Sequence, residues 1–241
     1  AFAPGGEVSS AELHRLTVAA SDPNVWAGQF SGFVWSDQHG LNDADRVRLL
    51  TAMQTGQYGL EALIDALAML RHNEEKSPSD WPPELRGVGI NTVALMLTRG
   101  DDRLNSNLDF HAAEVVQKCL VPRDEVGARR LVDAMVAHAR RRYGSLYDVE
   151  RTVAALAERA PFIFLDRALG ASDPRLRLSR DSTFEKSPLG GIEPQLLIDW
   201  CRMGGAERWI SVADAIQPFG PDDTSEADSH TTGLSSQAKL L

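Results

Sequence analysis

Apolar residues return every three or four positions along most of this chain, and no stretch alternates apolar and polar residues with period two for the length of a strand. Val47, Leu50 and Met53 make one such stripe, and Leu60, Leu63, Ile64, Leu67 and Leu70 make another. That spacing gathers side chains on one face of an α-helix, whereas a half-buried strand needs strict alternation. No Asn-Gly or Asp-Gly pair offers a hairpin turn. The pattern predicts an all-α chain.

Helix-start and helix-stop residues divide the pattern. Ser9 with Glu12 three residues on is a capping box, and Asp22 followed by Pro23 opens a helix over 23–35. Asn42 precedes a helix carrying Asp43 and Asp45 in its first turn and ending at Gly56; the next runs over about 58–72. A polar, proline-rich loop over 73–83 leads to helices over about 84–98 and 106–120. Pro122 is expected to open a long helix ending at Arg140-Arg141-Arg142 before Gly144, followed by helices over 145–159 and from Pro161. Residues 170–192 read as an irregular connection. Pro194 starts a helix broken by Gly204-Gly205, residues 206–217 form the next, 220–232 are an acidic loop, and Ser235 opens a further helix.

Short helices in consecutive pairs predict an irregular α-solenoid, a right-handed superhelix of HEAT-like or TPR-like pairs. A compact helical bundle is the alternative. The array is expected over 1–169, the irregular connection over 170–192, and a continuing array, truncated at its C-terminus, over 193–241. A first residue other than Met and a final stretch that reads as a helix opening predict a fragment of a longer protein.

Charge and cysteine content narrow the function classes. Lys and Arg number 25 against 34 Asp and Glu, a net charge of −9, which opposes a generic nucleic-acid partner. No run of about 18 apolar residues could span a membrane. Two cysteines, Cys119 and Cys201, are too few for a disulfide framework and suit a reducing compartment, so a cytoplasmic location is expected.

Candidate chemistry is sparse. Asp109, His111 and Glu114 lie within six residues, and His111 and Glu114 share a helix face. They are at most half of a metal site, since three or four ligands must converge; a metal-dependent hydrolase built on them is the least favoured reading, and no metal or cofactor is expected. Gly87-Val88-Gly89 follows no strand and lacks the third glycine of a dinucleotide loop, so close helix packing is the better reading. Cys119 and Cys201 sit in apolar helical contexts and read as core residues rather than nucleophiles. Arg99-Gly100-Asp101 is a chance tripeptide without a secretory context. Arg129, Arg130, Arg140, Arg141 and Arg142 form the one basic concentration, read first as cations favoured by a helix C-terminus and second as a phosphate or acidic-partner contact. Trp26, Trp200 and Trp209 fall on apolar stripes and read as core. Trp81, in the proline-rich loop, is expected to be an exposed anchor.

Several stretches also resemble a known group. They are Asn107 to Leu120 (NLDFHAAEVVQKCL), Ala160 to Asp166 (APFIFLD), Lys186 to Leu189 (KSPL), Leu196 to Cys201 (LLIDWC) and Glu207 to Phe219 (ERWISVADAIQPF). Together they resemble the C-terminal helical region of large bacterial proteins with a STAND-type or related NTPase core and an N-terminal effector domain, many of them linked to antiphage defence. That family's ATP-binding and effector motifs have no counterpart here, so no catalytic residue carries over. The resemblance implies a sensor or scaffold array that binds a protein partner or phage-derived target beside neighbouring domains of its parent chain. From exposure alone, the expected partner surface comprises Trp81, Arg140, Arg141 and Arg142, with the acidic loop at Asp222, Asp223, Glu226 and Asp228. A nucleic-acid-binding array is the alternative.

Overall fold

The computed structural model describes residues 43–56, 60–70, 81–99, 106–170, 176–178 and 187–216. The helices expected over 9–20 and 23–35, the acidic loop and the start near Ser235 lie outside the described residues. Within them the chain is all-α. Its elements are α1 (Asp43–Gly56), α2 (Leu60–Met69), α3 (Pro83–Arg99), α4 (Ser106–Cys119), α5 (Glu125–Arg141), α6 (Glu150–Arg159) and α7 (Pro161–Phe164). A π-helical turn (Leu165–Leu169) continues α7, a 3-10 turn spans Pro188–Gly191, and α8 (Pro194–Gly204) and α9 (Ala206–Ile216) follow.

Local chemistry accounts for most boundaries. Pro83, Pro161 and Pro194 each occupy the first helical position, where the missing N–H costs nothing. Gly205, at φ 68°, turns the chain out of α8. Two starts differ from expectation. The long helix begins at Glu125 rather than Pro122, because the Asp124 carboxylate accepts from the Gly127 N–H at 2.9 Å and so sets the cap. The next helix begins at Glu150 rather than Ser145. Residues before it pair instead with a distant segment: Leu146 N–H donates to the Arg177 carbonyl at 3.1 Å, and Arg177 N–H to that of Gly144 at 2.8 Å. The stop after α5 is a Schellman turn in which Gly144 N–H reaches the Ala139 carbonyl at 2.8 Å. The left-handed residue there is Tyr143, at φ 54°, immediately before the expected glycine.

Helices pack on the element two positions along. α1 rests on α3, α3 on α5 and α5 on α7, while α2 rests on α4, α4 on α6 and α6 on the 3-10 turn. Sequence neighbours close the space between these two rows, with α3 against both α2 and α4. One continuous apolar core runs through both rows, from Leu50 and Leu67 through Leu97, Val116, Leu131 and Leu156 to Phe164 and Trp200. The connection expected to be irregular is partly anchored: Leu176 and Leu178 are buried, and Leu178 N–H donates to the Ala215 carbonyl of α9 at 3.0 Å.

Candidate functional site

Several polar side chains of the interior satisfy helix ends on the element two positions away. No side chain local to α6 caps its start, where Val149 occupies the cap position. Asp109 of α4 supplies the cap from 42 residues away, its carboxylate accepting from Arg151 N–H at 3.0 Å and Thr152 N–H at 2.9 Å. The Thr152 hydroxyl adds a third hydrogen bond at 2.7 Å. Those are the free N–H groups of a first turn and the positive end of the helix dipole. Asp109 is only 6 % exposed, and burial pushes its carboxyl above the usual carboxylate range, opposed by the donors from Thr152 and Arg151.

The C-terminal end of α3 is treated in the same way from α5. The Leu97 carbonyl meets His138 Nδ1 at 3.1 Å and accepts from the Arg141 guanidinium. The fully buried His138 ring also places Nε2 at 3.3 Å from both oxygens of Asp148. Arg142 lies 3.3 Å from the same carboxylate. Burial alone would raise the Asp148 pKa, but the His138 hydrogen bond and the charges of His138 and Arg142 hold it below the ordinary range.

Other ties also cross between elements two positions apart, most of them from side chain to side chain. Lys118 of α4 donates to the Ala68 carbonyl at the end of α2, and burial pulls its ammonium below the usual lysine range. His111 Nδ1 meets the Asp65 carboxylate across α4 and α2. Gln54 of α1 donates to Thr92 Oγ1 of α3 at 2.7 Å. Arg167 of the π-helical turn meets Asp133 of α5, with Nε at 2.8 Å.

This placement revises several sequence-derived candidates. Asp109, His111 and Glu114 do not converge: Asp109 faces α6, His111 faces α2, and Glu114 lies 4.0 Å from Lys118. No cluster of three metal-ligating side chains occurs among the described residues. Cys119 is fully buried, and burial pushes its thiol up to about 12; Cys201 is buried too, and its thiol is raised for the same reason. Such thiols are protonated at neutral pH and make poor nucleophiles. Close packing holds at Gly89, where a Cβ would come within 2.3 Å of Cys119 Sγ, but not at Gly87, where nothing lies within 4 Å.

The surface candidates are also redistributed. Trp81 is 4 % exposed and belongs to the core, which corrects its reading as an exposed anchor. It lies two residues before the first residue of α3, the place from which an apolar side chain folds back against the helix. The Arg86 guanidinium, one turn in, closes onto the Trp81 carbonyl. Arg140, Arg141 and Arg142 do not form one basic patch: Arg140 is exposed, Arg141 caps Leu97 and Arg142 pairs with Asp148. Trp209, expected in the core, is 41 % exposed.

One concavity of about 270 Å³ opens where α4 runs into α5 and α6 into α7, lined by Leu120 to Glu125, Ala128 and Arg159 to Ile163. Sequence reading passed over Arg159 because a lone arginine in a last helical turn is ordinary. It passed over Asp148 and His138 because nothing local marks two residues ten apart as partners. The readable signal for Asp109 was a polar residue on the buried stripe of its helix.

No protein-family model, curated protein or solved structure matches the chain. No helix among the described residues is long and apolar enough to cross a membrane.

Proposed function

We propose that this chain is a non-catalytic helical sensor or scaffold module that binds a protein partner, and that its two rows of helices are a slice of an α-solenoid. The observation that carries the reading is where the polar groups go. Two buried ionisable side chains of the interior, Asp109 and His138, are spent on helix ends of the element two positions away, a third, Arg46, pairs with Asp43 of its own helix, and both thiols are held in the core. Packing between elements two apart is the arrangement by which helical repeats extend, and such arrays act through exposed faces rather than a deep polar cleft. Here those faces carry large apolar residues: Val126 is 80 % exposed, Tyr143 96 %, Phe162 56 % and Met203 70 %. The resemblance to the helical region of STAND-type defence proteins supports a cytoplasmic sensor whose target is a phage-derived or host protein.

Site-specific photo-crosslinking of the protein in living cells tests this. Crosslinkers at Val126, Arg140, Tyr143 and Phe162 are expected to yield protein adducts on a subset of positions, appearing or shifting upon phage infection. Nucleic-acid adducts at Arg140, or no adduct at any position in infected and uninfected cells, would overturn the proposal.

A further inference from the structure

The concavity between the α4–α5 and α6–α7 corners holds two arginine side chains without partners among the described residues, which its shape alone does not reveal. Its floor and walls are apolar, from Leu120, Ala128, Ala160 and Ile163, with Pro122 and Pro161 at the turns. Its two acidic residues are already engaged. The Asp124 carboxylate holds the Gly127 N–H at 2.9 Å, and Glu125 pairs with Arg129 at 2.9 Å. The two cations are not. Arg159 Nε is buried without an acceptor, and neither the Arg159 nor the Arg123 guanidinium has a hydrogen-bond or ion-pair partner among the described residues. A guanidinium presents five donors and stays charged, so a buried N–H left without an acceptor is costly. The arginine stem could have extended into water; here it lines an apolar cavity instead.

From this we infer that the cavity receives the carboxyl-terminal residue of a partner peptide, its carboxylate on Arg159 and its apolar side chain against Ala128, Ala160 and Ile163. The volume suits that occupant. A dry cavity of roughly 150 Å³ holds a benzene-sized ligand, so 270 Å³ takes a Leu, Ile or Phe side chain together with a carboxylate. Phe162 lines the cavity and is 56 % exposed, so it offers an apolar surface to the residue before the carboxyl terminus. That surface favours a peptide over a free acid. The α5 N-terminus itself is not the anion site, because Asp124 already occupies its first-turn N–H.

This inference rests on the partner-binding reading, and the two fail separately. Crosslinks at Tyr143 or Arg140 with an inert cavity keep that reading and remove this one. The test uses N-acetylated pentapeptides of neutral composition ending in Leu, Ile or Phe, titrated calorimetrically against the intact protein. Free-carboxylate peptides are expected to bind, and their C-terminal amides to bind roughly 10- to 100-fold more weakly, the range for one lost charged hydrogen bond. That comparison uses unaltered protein and is immune to misfolding of a variant. Arg159→Met, checked for native helix content by circular dichroism, is expected to lose the preference for carboxylate over amide, and Arg159→Lys to keep part of it. Equal binding of acid and amide, no binding at millimolar peptide, or an unchanged preference in Arg159→Met would overturn the inference. So would isovalerate or phenylacetate binding as tightly as the peptides, which would make the occupant a free acid.

Discussion

The centre of the molecule, α3 to α6, and its α8–α9 end are both made of amphipathic helices, but they are tied together by different means. In the centre the ties are buried and end on backbone groups: Asp109 on the first turn of α6, His138 and Arg141 on the last turn of α3. At the end they join the buried Trp200 to partly exposed partners. Trp200 Nε1 donates to Asp166 at 2.7 Å, and Arg208 lies 4.4 Å above the indole ring while donating to the Trp200 carbonyl at 2.9 Å. The Asp166 side chain is 60 % exposed, so its 3.6 Å approach to Arg208 contributes little. A tie to a buried backbone N–H or carbonyl fixes register, because slipping by one residue leaves that group without a partner. A tie between exposed side chains tolerates slippage. Buried side-chain caps are therefore concentrated in the centre, while the end is held in register by the Leu178 N–H bond to the Ala215 carbonyl and by Arg208 on the Trp200 carbonyl.

Four substitutions bear on this contrast. Asp109→Ala leaves two N–H groups without their acceptor and the Thr152 hydroxyl with only the longer contact to the backbone carbonyl of position 109, and is expected to cost about 3 kcal/mol by urea unfolding. A cost below that of an ordinary exposed cap would remove the distinction between centre and end. Gly89→Ala forces a methyl onto Cys119 Sγ, an overpacking of about 2 kcal/mol. Adding Cys119→Ala should recover part of that loss, and a strictly additive double mutant would show that the contact is not the cause.

Asp148→Asn probes the charged part of the centre. The Asp148 carboxyl is held below its ordinary value, so its stabilisation is complete above the unfolded pKa of about 4 and is lost as pH falls through the folded value. The variant is expected to be less stable at pH 7 and to show a shallower fall in melting temperature between pH 5 and pH 2; parallel profiles would contradict the pairing. Ile210→Ser on α9, where the side chain is 53 % exposed, should change stability by no more than about 0.5 kcal/mol. A larger loss would show that the end is held as firmly as the centre.

Helix-forming segments were largely legible in the sequence, and their partners were not. Pro83, Pro161, Pro194 and the Gly204-Gly205 break mark boundaries because proline and glycine act through their own backbone. The start of α5 was displaced because Asp124 competes with Pro122 as the start signal, and hydrogen-bond geometry decides between them. The α6 start was misjudged because Leu146 bonds to Arg177, a long-range pairing. Trp81 looked exposed because its neighbours are polar, yet its position ahead of α3 turns the indole inward. The acidic residue in the Asp109 triplet was visible as a possible ligand and turned out to be another helix's cap.

Capping across elements also sets where such a chain can be cut or copied. Deleting α5 and α6 would strip the Leu97 carbonyl of both its side-chain partners and leave the Asp109 carboxylate with no N–H to hold. Deleting α1 and α2 would take Gln54 away from Thr92 and remove the partners of His111 and Lys118, but leave the α3–α5 and α4–α6 couplings whole. The natural splice point therefore lies between α2 and α3, and a duplication that preserves every helix end must carry α3 to α6 as one four-helix cassette.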